Sequence, residues 1–178
     1  MNSDFQISKA TIQDIPQLEK LVNSAYRGET SKKGWTTEAD FLDGIRIDKP
    51  ALAKIINSPH SVILKCTNNN EVVGCEYLQK KQNELYIGML TVSPDIQNKG
   101  IGKILLEAAE DYAKSWKIQL MSMTVITLRQ ELIEWYERRG FKKTAKIEPF
   151  PNDPRFGIPK QPLEFVVMEK TINDFDKT

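Results

Sequence analysis

Gly100 and Gly102 flank the start of an amphipathic run, with Lys99 and Lys103 at its edge, inside the stretch SPDIQNKGIGKILLEAAEDYA of residues 93–113. A chain that leaves a strand at Val92, turns through this segment and enters a helix near Gly100 aims several unpaired backbone N–H groups at one point. The positive end of the helix dipole lies behind them. Such a turn binds anions. Glycine leaves no Cβ in the path of a ligand and the lysines add charge, so a diphosphate is the natural guest. Two phosphate motifs are excluded by their letters. A Walker loop needs glycine where Gln97 stands and Ser or Thr where Ile104 stands. A dinucleotide fingerprint needs its third glycine where Leu105 stands.

The elements that must position this turn can be read from periodicity. Residues 5–11 alternate as a first strand, and residues 14–26 place Ile15, Leu18, Leu21, Val22 and Tyr26 on one helical stripe. Thr37 followed by Asp40 predicts a short helical segment ending near Gly44. Pro50 opens another helix, and residues 61–66 and 71–80 form a hairpin around an asparagine-rich turn. Residues 84–92 are almost continuously apolar, as in a central strand covered on both faces. Beyond the turn, Ile101, Ile104, Leu105, Ala108, Ala109 and Tyr112 form the buried stripe of a helix. Residues 118–126 read as a buried strand and residues 128–139 as a helix ended by Gly140. Residues 141–147 and 162–170 read as closing strands, and the tail from Thr171 is expected to fray. Hairpins followed by strand–helix–strand crossovers imply an α/β fold, a mixed sheet with helices on both faces.

With 178 residues the chain can close a sizeable core without a second domain. Lys+Arg 25 against Asp+Glu 24 leaves a net charge of +1, so no global field points to nucleic acid or an anionic membrane. No apolar run approaches the roughly 20 residues of a spanning helix, and no leader pattern opens the chain, which reads as a soluble cytoplasmic protein. Cys66, Cys75 and His60, the only cysteines and histidine, cannot complete a four-ligand zinc site, so no metal is expected and both cysteines read as buried thiols.

Over Gln97 to Gly102 the letters fit Q/R-x-x-G-x-G/A, the pyrophosphate loop of the GNAT superfamily of acyl-CoA-dependent N-acyltransferases. MLTVSPDIQNKGIGKILLE resembles the central strand and loop of that family, and WYERRGF, residues 135–141, resembles its Y-x-x-x-G-F element. The resemblance is strong over residues 84–141 and extends more weakly over residues 5–170. It implies one domain over residues 1–178 with its core at about 5–170. It also implies a three-layer, mostly antiparallel sheet of six to seven strands with a V-shaped splay between two parallel central strands, the strand before the loop carrying a bulge. The activity implied is transfer of an acetyl group from acetyl-CoA to a primary amine, by direct attack in a ternary complex.

By the same resemblance, the backbone of Leu90, Thr91 and Val92 would pair with the pantetheine arm. Gln97, Asn98, Lys99, Gly100, Ile101, Gly102 and Lys103 would hold the diphosphate. Leu90 N–H would serve the oxyanion, since a donor fixed in a strand needs no reorganisation. Tyr136 would give a proton to the leaving CoA thiolate, although a tyrosine on an amphipathic helix is ordinarily a core residue. The base stays open, with Glu76 and Glu84 as candidates and Tyr86 able to order a water. Arg129 departs from the family pattern, which often has Asn there, and could meet a CoA phosphate or lie on the helix surface.

The acceptor would enter beside residues 25–46. Glu29, Asp40 and Asp43 there could take a cation, Arg27 and Arg46 a carboxylate, and Trp35 could form an apolar wall. The proline-rich connector EPFPNDPRFGIPKQP, with Phe150 and Phe156, could cover a pocket. A small-molecule amine is the favoured acceptor. An acetyltransferase for protein amino groups and a non-catalytic acyl-CoA-binding regulatory module stay open, and family habit allows a homodimer.

Overall fold

The structure, a computed structural model, describes residues 4–96 and 98–173. The chain begins with β1 (Gln6–Lys9), a 3-10 turn at Ile12–Asp14, α1 (Ile15–Tyr26), the four-residue α2 (Gly28–Ser31) and β2 (Leu42–Asp43). It continues through α3 (Lys49–Ile56), β3 (Ser61–Asn68), β4 (Glu71–Lys80), β5 (Glu84–Val92) and α4 (Ile101–Ser115). The last elements are β6 (Leu120–Ile126), α5 (Gln130–Glu137), β7 (Lys142–Pro149), β8 (Ile158–Pro159) and β9 (Glu164–Thr171).

Seven strands form one sheet in the order β1-β3-β4-β5-β6-β9-β7. Every neighbouring pair is antiparallel except β5 and β6. The helices build two apolar layers. On one face α4 buries Ile101, Leu105, Leu106, Ala109 and Ala113 against the strands; on the other α1 buries Leu18, Leu21, Val22 and Ala25. β5 serves both layers, Leu85, Ile87, Leu90 and Val92 facing α4 and Met89 facing α1. That dual duty explains its unbroken apolar letters.

Two features of β5 shape the centre. Its parallel pairing with β6 covers only Glu84 with Leu120, Leu85 with Met121 and Tyr86 with Ser122. Both strands run on beyond that point unpaired with each other, so the sheet opens into a V. In the same stretch Met89 takes φ +53° and the register against β4 shifts between Cys75 and Tyr77, leaving Met89 and Leu90 opposite the single residue Glu76. This is a β-bulge, which turns backbone groups out of the ladder.

Three expectations need amendment. The helical segment foreseen at residues 37–44 shrinks to one turn, closed by Phe41 and Leu42 N–H on the Glu38 carbonyl. The Thr37 hydroxyl is engaged with Ser31 Oγ at 2.6 Å, and the chain beyond becomes β2 because it pairs with β8. That pairing also fixes the proline-rich connector, so it is a tethered strap. At the C-terminal end Thr171 closes β9 and Ile172 is buried, its N–H bonding the Gln119 carbonyl at 2.8 Å, so fraying does not begin at Thr171; residues 174–178 lie outside the described residues. Cys66 and Cys75 are free and buried, and burial pushes their thiols up to about 11 and about 12, far from thiolate at neutral pH. No described helix is long and apolar enough to cross a membrane.

Candidate active site

The V between β5 and β6 opens into a cavity of about 580 Å³. One wall carries Leu90 at the bulge, the other carries β6 and Tyr136 from α5, and the strap residues Phe150 and Phe156 border it. Tyr26, from the end of α1, donates its hydroxyl to the Leu90 carbonyl at 2.5 Å, which fixes the bulged peptide. Burial pushes the Tyr26 phenol up to about 12, so it remains a donor at working pH.

Tyr136 is 6% exposed, its ring set edge-on to Trp135 and Phe141 at 5.1 and 5.9 Å. Its hydroxyl has no hydrogen-bond partner among the described residues. Burial first, and the nearby Tyr26 second, push its phenol far above the usual value, so it is protonated throughout the working range. Tyr86, also in the cavity wall, shares a 3.0 Å hydrogen bond with Thr124 Oγ1 across the mouth of the V.

The two strand carboxylates differ sharply. Glu84 lines the cavity and lies 3.8 Å from Lys81. Glu76 is fully buried opposite the bulge, does not line the cavity, and neither carboxylate oxygen has a partner among the described residues. It is not the solvated strand carboxylate that its letter suggests. Burial alone raises its pKa well above the ordinary carboxylate value, so it is held as the neutral acid. Between the unfolded value near 4.3 and the raised folded value, the native state holds a proton that the unfolded chain has released. Stability therefore falls as pH rises through that window. Glu76→Gln, which cannot ionise, is expected to melt several degrees above the parent at pH 8, with the gap closing toward pH 4; thermal scans across pH check this, and parallel curves for the two proteins would contradict it.

At the α1 end of the cavity two guanidinium groups share one carboxylate, and a third lies over the Tyr26 ring. Arg27, 7% exposed, donates to Glu38 Oε2 at 3.2 Å and to the Phe156 carbonyl at 3.1 Å, and its Nε has no partner among the described residues. Arg129 donates to the Trp35 carbonyl at 2.8 Å and lies 3.9 Å from Glu38, so it is largely buried in the cavity wall and ties α5 to the loop before β2. Arg46 lies over the Tyr26 ring at 5.5 Å and has no carboxylate partner among the described residues. Burial lowers the Arg27 pKa, and the charge of Arg46 lowers it further while Glu38 opposes both.

The turn expected to hold a diphosphate leads into α4. Gly100 caps α4 at φ +77°, with nothing within 4 Å of where a Cβ would be, and Asn98, Lys99 and Lys103 are exposed around it. Gln97 lies outside the described residues. Ile101 is buried and anchors the helix start. Gly102 has a different neighbour from the one foreseen: a Cβ there would come within 3.2 Å of both Trp35 and Trp135, which stack with centroids 4.7 Å apart. Thr91 and Val92 are buried at the end of β5, Thr91 Oγ1 donating to the Met89 carbonyl at 2.8 Å. Of the residues expected to touch the cosubstrate, Leu90 and Tyr136 line the cavity, whereas Thr91, Val92 and residues 98–103 do not. Glu29, Asp40 and Asp43 also lie outside its lining. Sequence reasoning missed Tyr26 and Glu38. Tyr26 completes a helical apolar stripe, and only the position of the bulge reveals where its hydroxyl reaches.

No group of three or more potential metal-ligating side chains occurs among the described residues. In overall shape the chain is similar to the PaiA N-acetyltransferase of Thermoplasma acidophilum solved with coenzyme A. The TM-score is 0.70 at 20% identity, over 95% of this chain and 99% of that one. It is similarly close to the ribosomal-protein-S18-alanine N-acetyltransferase of Escherichia coli, with a TM-score of 0.71 at 16% identity over 98% and 99% of the two chains. At these identities the likeness speaks for the fold. In sequence it is 28% identical to an amino-acid acetyltransferase of Mannheimia succiniciproducens across 87% of this chain and 31% of that protein. The chain thus spans about a third of the length of that curated relative. A family model described as the acetyltransferase (GNAT) family matches residues 15–141, and the chain belongs to that family.

Proposed function

We propose that this protein transfers an acetyl group from acetyl-CoA to a primary amine by direct attack within a ternary complex, residues 1–178 working as one cytoplasmic domain with no metal. The observation that carries this reading is the opening of β5 from β6 beyond Tyr86, with the bulged Leu90 on one wall and Tyr136 on the other. The turn before α4 fits a diphosphate: Gly100 stands in open space at a helix N-terminus and lysines flank it. Residues 97–103 would hold the diphosphate, and the backbone of Leu90, Thr91 and Val92 would receive the pantetheine arm.

Acetyl-CoA, when bound, supplies an activated thioester carbonyl and a thiolate leaving group. Leu90 N–H would donate to the developing oxyanion from a bulge already locked by Tyr26, so no reorganisation accompanies the reaction. Tyr136 would protonate the leaving sulfur. Its raised pKa keeps the proton in place, and the same desolvated cavity also raises the basicity of the thiolate that must take it. For the base, Glu84 with the Tyr86–Thr124 pair is the group open to the cavity.

The strap favours a small acceptor. β8 is paired to β2, Lys160 N–H bonds the Phe41 carbonyl at 2.9 Å, and Arg27 holds the Phe156 carbonyl, so the cavity is covered on that side. The name of the Mannheimia relative points the same way. Thiol release from acetyl-CoA with a panel of amines tests the proposal. Amine-dependent release with a matching N-acetylated product is expected; binding of acetyl-CoA without turnover on any amine would mean a non-catalytic acyl-CoA-binding module.

A further inference from the structure

The arginine end of the cavity has more positive charge than its own structure uses. Arg27 and Arg129 share the carboxylate Glu38, and Arg46 lies on the Tyr26 ring beside them with no carboxylate partner among the described residues. One carboxylate shared by two arginines leaves the third guanidinium, Arg46, without an anion of its own at this end of the cavity, and burial makes uncompensated charge costly. Arg46 is the guanidinium with its donors unspent, half-buried and in the cavity wall. The buried Nε of Arg27 is likewise unpartnered. A planar guanidinium fork is shaped for a carboxylate.

The position of this surplus matters as much as its sign. Arg46 lies on the Tyr26 ring, and the Tyr26 hydroxyl holds the Leu90 carbonyl at the bulge. A carboxylate at Arg46 is therefore separated by one tyrosine side chain from the backbone that would hold the thioester. Among small amines, the geometry points to one whose carboxylate sits close to its amino group. We propose that the acceptor site is built for a free α-amino acid, its carboxylate held by Arg46 with Arg27 and Arg129 behind it and its α-amine turned toward Leu90 and Tyr136. Its side chain would run along the cavity toward the stacked Phe150 and Phe165, whose ring centroids are 5.2 Å apart.

This deepens the reading of the protein as an N-acetyltransferase, yet it can be tested without turnover. Thermal unfolding is followed with and without CoA as each common L-amino acid is added, and again with the α-carboxamide of each. The expected result is that at least one free amino acid stabilises the protein, with an apparent affinity about 10- to 100-fold above that of its amide. Arg46→Gln should abolish that preference while retaining the shift with CoA, and Arg46→Lys should restore it only in part. Equal stabilisation by acids and amides, or an acid preference undiminished in Arg46→Gln, would overturn the proposal, as would the absence of stabilisation by any free amino acid. Carboxylate-selective binding without acetylation would uphold the site and remove the catalytic reading instead. Selective binding of peptides with a free N-terminus over free amino acids would also overturn it.

Discussion

Tyr136→Phe is expected to lower kcat by two orders of magnitude or more while leaving the melting temperature within about a degree of the parent. The reason is local. The ring is fixed by edge-on packing against Trp135 and Phe141, which phenylalanine preserves. The hydroxyl, by contrast, has no hydrogen-bond partner among the described residues, so its removal costs the fold little. On the proposed mechanism, what the variant would lack is a proton beside the leaving sulfur. Because burial holds that phenol protonated well above neutrality, the parent should show no loss of rate from Tyr136 ionisation at mildly alkaline pH. Thiol release as a function of pH checks both statements, and a variant with full kcat across the profile would remove Tyr136 from the mechanism.

The second large effect lies away from the cavity. Gly74 on β4 faces the start of α4, where a Cβ would come 2.7 Å from Ile101 Cγ2, 3.1 Å from the Thr91 carbonyl and 3.3 Å from Leu105. The Thr91 carbonyl is backbone in the middle of the sheet and cannot yield. Gly74→Ala must therefore push the first turn of α4 away from β4, at about 2–3 kcal/mol and a loss of roughly 5–10 °C in Tm. The helix start is also the proposed anion site. Affinity for acetyl-CoA should fall by more than tenfold, whereas loss of stability with unchanged affinity would show that the turn keeps its place when α4 shifts. Calorimetric titration below the lowered melting range separates the two.

The sheet and its helices were legible because their signals are periodic and local. The apolar stripe of α4, the asparagine-rich turn between β3 and β4 and the continuous apolar run of β5 are each signals of neighbouring residues. The turn into α4 was legible for another reason: glycine at Gly100 meets a conformation, φ +77°, that other residues rarely adopt. What could not be read was contact between distant segments. Thr37 and Asp40 spell a helix start, but β8, more than a hundred residues later, draws the following segment into a strand pair. Gly102 has the letter of a ligand approach, yet two tryptophans from different parts of the chain press on it. Glu76 has the letter of a solvated strand residue, and only the bulge opposite it and the helix layer above show that it is sealed. Arg129, left between a phosphate contact and a surface position, is tied to Trp35 and Glu38.

On the proposed function, the splayed strands and the turn before α4 form an acyl-CoA site. Its most direct test is thermal unfolding of the CoA-free protein with acetyl-CoA, CoA, NAD and ATP in turn. At about 100 times Kd a ligand of the native state adds roughly 2.7 kcal/mol, a shift of several degrees for a chain of this size. Such a shift is expected with acetyl-CoA and CoA and none with NAD or ATP; no shift at saturating acetyl-CoA would contradict an acyl-CoA site.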